Sequence, residues 1–297
     1  MRRIYSKLDK SVNFILPNML ECRNVRRADD YVAVYVSSHT GCKMGCGQCW
    51  LTNTKQTSFH HATIDEYDQQ LNIVLDHAKS IDGSNSDKVR VNINFMARGE
   101  ALANRYVVNQ YKVLHDTLQL TVDKYNYKCM KINISTIMPT VIRDRSLTNI
   151  FGNNPVNIYY SLYSINDKFR KKWIPNAMPW GLALDKLRSF QEVTNNTVVF
   201  HFALIEGEND DLTDVKNMAQ VIKNLDFKKT KFNLVRFNPH PTINYREPPV
   251  EKLHDIFEIL RSVCLDTEIT THQSRIIDRV GYDAYTSCGT FPEDKDL

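Results

Sequence analysis

The sequence predicts an α/β fold built as a partial (β/α)6 TIM-like barrel with short N- and C-terminal extensions. Three observations carry this. Short runs rich in β-branched and aromatic residues are separated by segments of helical period. No fixed-period repeat or low-complexity tract competes with that alternation. And 297 residues, 42% of them hydrophobic, suffice for one barrel-sized core.

Residues 1–30 hold a short apolar piece at 12–16 and a basic stretch with Arg23, Arg26 and Arg27, read as an entry extension. The barrel core is expected over 31–265, and a tail over 266–297. Tyr31 to Val36 reads as the first buried strand, with a cysteine-rich loop at its end. Thr63 and Glu66 form a capping box for a helix reaching about Lys79, with Ile64, Tyr67, Leu71, Val74, Leu75 and Ala78 on one face. Further strands are expected at 89–95, 130–135, 156–162, 197–205 and 231–235. Helical spacing covers 102–122, 182–193 and 215–225, and Pro248-Pro249 opens a last helix carrying Leu253, Ile256, Phe257 and Leu260 on one face. Six parallel βα units place the loops after their strands at one mouth, where functional residues gather.

Lys+Arg 38 against Asp+Glu 34 gives a net charge of +4, which permits an RNA partner without demanding one. Seven cysteines, an odd number with three clustered, suit a reducing cytoplasm better than a secreted disulfide scaffold. The basic start turns charged before any signal-length apolar region, and no run approaches a membrane span.

The cysteine loop carries the chemistry. Cys42, Cys46 and Cys49, at CxxxCxxC spacing among Gly41, Gly45 and Gly47, can converge as thiolates on one soft metal centre. Three protein ligands on a four-iron cluster leave one iron open to chelate an amine and a carboxylate of a small molecule. The competing reading is a zinc-stabilised RNA-binding module, whose fourth ligand must come from Cys22, His39, His60 or His61. No second CxxC or HxxxH supports it.

The spacing, with Trp50 directly after the third cysteine, resembles the radical S-adenosylmethionine superfamily. The ordered series Ser37-Ser38, Gly99-Glu100, Ser135-Thr136, Ser161-Leu162, Asn166-Asp167, Arg170, Pro175-Asn176, Asn209-Asp210, Asn233-Leu234, Asn238-Pro239 and Cys288-Gly289 is similar to the RlmN/Cfr-like family of radical adenine methyltransferases. The match runs from about Asp29 to Gly289. The resemblance implies a [4Fe-4S] cluster on Cys42, Cys46 and Cys49, and S-adenosyl-L-methionine held by Gly99, Glu100, Ser135, Ser161 and Asn233. It implies that Cys288 is methylated and that a 5'-deoxyadenosyl radical then takes hydrogen from its methyl group, for addition to an adenine carbon in RNA. It also implies an electron donor such as a flavodoxin or ferredoxin, and a cytoplasmic chain, read here as a monomer. A radical enzyme acting on a nucleotide or other small molecule is the alternative.

The chain departs from that family where a second cysteine is expected. Tyr35 stands there, and a phenol forms no disulfide. A hairpin closed by Arg27 and Asp30 would place Cys22 opposite Tyr35 as a substitute thiol. The family's N-terminal substrate-binding domain has no counterpart in the forty or so residues before Cys42. Arg98, Ala101 and Tyr163 replace usual residues and are expected near the substrate mouth. Arg170-Lys171-Lys172, Lys228-Lys229, Lys231, Arg275 and Arg279 are candidate phosphate contacts, each weighed against a solvated face.

Overall fold

Ten strands form one continuous sheet, in chain order, in this computed structural model, which describes residues 1–262 and 274–293. β1 (Arg2–Tyr5), β2 (Val12–Ile15), β3 (Glu21–Ala28) and β4 (Tyr31–Val36) pair antiparallel with one another in turn. From β4 onward β5 (Arg90–Phe95), β6 (Cys129–Thr136), β7 (Asn157–Ser161), β8 (Val198–Ala203), β9 (Thr230–Val235) and β10 (Arg275–Ile277) are all parallel. The helices between them are α1 (Trp50–Asn53), α2 (Ile64–Asp82), α3 (Arg105–Asn109), α4 (Tyr111–Lys124), α5 (Leu147–Phe151), α6 (Asp167–Trp173), α7 (Trp180–Thr194), α8 (Leu212–Asn224) and α9 (Val250–Ser262). The sheet stays open, and the six expected strands are β4 to β9, each within two residues of its expected bounds.

The long helices cover the outer face. On α2, Tyr67, Leu71, Val74, Leu75 and Ala78 are all fully buried, and the Thr63–Glu66 capping box fixes where the helix starts. Burial of each larger aliphatic side chain contributes about 1.5–3 kcal/mol. The same hydrophobic layer continues under α4, α7, α8 and α9.

The helix expected over 102–122 is broken. Asn104 sits in an extended conformation, accepts from Tyr106 N and Val107 N to start α3, and donates to Ser38 O at 2.7 Å and Ala62 O at 3.0 Å. Its side chain thus ties the helix start to the first strand end, at the cost of continuity. Residues 1–30 add three strands to the main sheet, and β2 is buried along its whole length. The expected 265/266 boundary lies outside the described residues.

The β3–β4 hairpin corrects the expectation for Cys22. Ala28 pairs with Tyr31 across Asp29-Asp30, and a bulge between Val25 and Ala28 then shifts the register, so Cys22 faces Val36 and Arg23 faces Tyr35. One residue of slip exchanges the two faces of a strand. Cys22 is therefore fully buried in the outer hydrophobic layer, its thiol pushed far up by burial, and does not stand beside Tyr35.

Candidate active site

The inner face of the parallel strands is polar. Asn133 donates to Asn94 at 2.8 Å and Asn157 donates to Asn133 at 2.8 Å, a ladder of amides across β5, β6 and β7. Asn94 in turn donates to Asn92 O at 2.9 Å. A closed barrel would fill this space with branched apolar side chains. Here it leaves a cavity of about 630 Å3.

At the C-terminal ends of the strands the cavity meets Cys42, Cys46 and Cys49. Their loop is clamped from several directions. Cys42 N donates to Gln56 O at 3.0 Å, Gly47 N to Trp173 O at 2.9 Å, and Asn176 Nδ2 to Met44 O at 3.1 Å. A side chain at Gly41 would run into the Gln56 carbonyl at 2.6 Å. Burial raises all three thiols: Cys42 to about 11, Cys49 to about 12, and Cys46 well above its ordinary value, with the neighbouring cysteines adding to the rise. Left alone they stay protonated, so a bound cationic centre must displace their protons. Among the described residues no three His, Cys, Asp or Glu side chains gather closely enough to hold a single ion. The candidate fourth zinc ligands are engaged elsewhere, His39 with His61 at 3.2 Å and His60 with Glu66 at 3.2 Å.

Gly99 and Glu100 follow β5. Gly99 has φ +91°, and a Cβ there would collide with His39. Glu100 accepts from Leu102 N at 3.0 Å and Ile137 N at 3.1 Å. Burial pushes its carboxyl up to about 7, against those bonds and one from Thr136. A cation arriving in front of this carboxyl restores its charge. Ser135, Ser161 and Asn233 line the same cavity. Asn233 is 3% exposed, donates to His201 Nε2 at 3.2 Å, and its Oδ1 is buried without a partner.

The C-terminal segment closes the fourth side. Cys288 presents its thiol to the cavity, while Trp50 N donates to Gly289 O at 3.0 Å and Asn238 Nδ2 to Cys288 O at 2.8 Å. The protein around it raises the Cys288 thiol, with Arg23 and Arg27 pulling the other way. Behind it, Arg23 donates to Thr290 O at 2.9 Å and shares the fully buried Glu21 carboxylate with Arg98. Both guanidinium groups lie over the Phe291 ring, at 4.8 and 5.6 Å. One carboxylate thus organises the start of β3, the loop after β5 and the tail.

Several expected contacts are corrected. Arg98 is 1% exposed and does not line the cavity, donating instead to Thr40 O and Gln56 Oε1, and Ala101 is buried in the hydrophobic core. Arg170 is internal scaffolding, donating to Leu162 O at 2.8 Å and Met178 O at 2.9 Å. Lys172 is paired with Glu208. Tyr35, Tyr163, Lys231, Arg275 and Arg279 do line the cavity. The Glu21–Arg23–Arg98 group, the amide ladder, Tyr159 and His201 were missed by sequence reasoning. Only the amide ladder had a signal, the period-two polar residues of β5 and β6.

No family model matches the chain. It is 28% identical over 261 residues to a dual-specificity RNA methyltransferase RlmN of Helicobacter hepaticus, covering 87% of this chain and 64% of that protein. It is 27% identical over 268 residues to the RlmN of Geotalea uraniireducens, covering 88% and 68%. The chain thus spans about two-thirds of the length of these relatives. Among solved structures, a radical SAM methyltransferase from Sphaerobacter thermophilus superposes with a TM-score of 0.74 at 20% identity, over 98% of this chain and 80% of that one. The hydrogenase maturase HydG superposes with a TM-score of 0.55 at 11% identity, over 82% and 52%. These two likenesses show the fold.

Proposed function

Relatives and fold support the RlmN/Cfr-like radical S-adenosylmethionine family for this chain, and from that premise we propose that it is a radical methyltransferase acting on an adenine carbon in RNA. The observation that carries the reading is the meeting of four cysteines, Cys42, Cys46, Cys49 and Cys288, on one cavity, with the tail bonded to the cysteine loop.

The donor set fits a multinuclear iron–sulfur centre rather than zinc. Three soft thiols from one loop face open cavity, and among the described residues no three His, Cys, Asp or Glu side chains gather closely enough for a single ion. Cys42, Cys46 and Cys49 would hold a [4Fe-4S] cluster. Gly99, Glu100, Ser135, Ser161 and Asn233 would hold S-adenosyl-L-methionine: the desolvated Glu100 carboxyl suits its ammonium, and the orphaned Asn233 Oδ1 suits a hydroxyl or amine. When bound, the pair supplies one-electron cleavage of the sulfonium and hydrogen-atom abstraction. The chain's own part is to hold Cys288 facing the same space as nucleophile and methyl carrier, and to narrow water's access with Trp50, Phe291 and Tyr285. The reading entails a low-potential electron donor such as a flavodoxin or ferredoxin, and a monomer in the cytoplasm.

Mass spectrometry of nucleosides from RNA incubated with reconstituted protein and isotopically labelled methyl donor tests this. A labelled methyladenosine is expected. Cys288→Ala should abolish it while 5'-deoxyadenosine release continues; methylation that survives the substitution refutes the carrier role.

A further inference from the structure

We propose that the end of the cavity opposite the cysteines is a phosphate-binding subsite formed by Lys131, Lys231 and Arg275. The inference rests on the cavity being where substrate binds, as read above. The three residues stand at or near the starts of β6, β9 and β10, and their side chains line the same 630 Å3 space as the four cysteines. Arg27, on the antiparallel β3, and Arg90, at the start of β5, flank them.

The charge there is not neutralised. Elsewhere on the cavity wall Arg236 and Arg279 are both bound by Glu247, and Arg27 has Asp278 nearby. Arg90 reaches Asp30 at 3.9 Å. Lys131, Lys231 and Arg275 have no acidic partner among the described residues. Burial, Arg275 and Lys131 lower the Lys231 ammonium to about 8, as expected for a cation crowded by others with no anion between them. Lys and Arg side chains converging on one open space suit the tetrahedral oxygens of a phosphate, with charge-assisted hydrogen bonds from each.

The space between this end and the cysteines suits the rest of a nucleotide. Lys131 precedes Ser135 by four residues on one strand, about 13 Å at roughly 3.3 Å per residue, so the ligand is elongated rather than a lone ion. The walls between are uncharged and hydrogen-bonding: the amide ladder, the unpartnered Asn233 Oδ1, and a neutral His201 whose ring meets Tyr159 at 4.8 Å. Tyr159 also lies 6.0 Å from the Lys231 ammonium. The shared chemistry is a phosphate ester on a nucleoside, supplied either by a free nucleotide or by an unpaired RNA strand.

Equilibrium binding to the cluster-reconstituted protein separates these. The probes are adenosine 5'-monophosphate, adenosine and a short unpaired oligoribonucleotide, each against wild type, the Lys231→Gln/Arg275→Gln double variant and the exposed-surface control Lys168→Gln. Wild type and control should prefer the monophosphate over adenosine by about tenfold or more, and the double variant should lose that preference. If the monophosphate has no advantage but the double variant weakens the oligonucleotide by about tenfold relative to the control, the phosphate belongs to an RNA strand. If neither probe distinguishes the double variant from the control while its melting curve shows it folded, the subsite does not exist. 5'-Deoxyadenosine release by wild type is measured alongside; its failure sinks the radical reading and leaves the phosphate result standing.

Discussion

Two groups of cations in this fold, one buried and one on the cavity wall, are handled in opposite ways. Arg23 and Arg98 share the Glu21 carboxylate at 0–1% exposure, and Arg23 also donates to Thr290 O in the tail while Arg98 donates to Thr40 O and Gln56 Oε1 beside the cysteine loop. Lys131, Lys231 and Arg275 share no acid among the described residues and open onto the cavity. Where water is excluded a charge must be matched within the protein, because leaving it bare costs several kcal/mol. Where water or a ligand can enter, the same charge can be left for something else to match. The first group holds the site together; the second faces what the site receives.

Removing the match from the first group should have the largest effect. Glu21→Ala leaves two buried guanidinium groups uncompensated, and unfolding by denaturant should show a loss of about 3–5 kcal/mol. A loss below 1 kcal/mol would show the pair to be hydrated and the contrast false. Asn133→Leu is next: it strands the Asn94 and Asn157 amides in the ladder, with an expected cost of about 1–3 kcal/mol by the same measurement. Arg23→Lys keeps the charge and removes the fork that spans Glu21 and Thr290 O. About 1–2 kcal/mol should go, and amide hydrogen exchange should rise across 285–291 more than across α2.

The smallest effect has the opposite sign. Lys231 binds its proton less tightly folded, at about 8, than unfolded, at 10.5, so the unfolded state carries more protons between those values and stability rises with pH there. Lys231→Met should flatten that slope and raise stability at pH 7 by about 0.5 kcal/mol. A destabilised variant would mean the lysine has a partner after all.

How much of this was legible varied with the range of the interaction. β4 was readable because its residues are β-branched or aromatic almost throughout, and α2 because the Thr63–Glu66 box and the apolar face agree. The cavity lining was present as alternation, Asn92 and Asn94 on β5 or Lys131, Asn133 and Ser135 on β6. It was masked by the expectation that parallel strands are apolar on both faces. The placing of Cys22 turned on a bulge, a backbone detail that no side-chain pattern states. Asn104 broke a helix through bonds to Ser38 and Ala62, residues 66 and 42 positions away. The grip of Arg23 on Thr290 spans 267 positions and could not be read locally.

That last contact constrains how the molecule is made. Ser6 and Lys7 bond Asp283, Asp9 bonds Gly281, and Arg23 bonds Thr290, so β1 to β3 are completed by residues made 267–277 positions later. Closing loops of this length before their contacts are rewarded is slow. A nascent chain can assemble α2 and its strands during translation, yet the bond from Arg23 to Thr290 O waits until synthesis has passed residue 290. Cluster insertion before that moment would meet a site open on the side that Gly289 later covers.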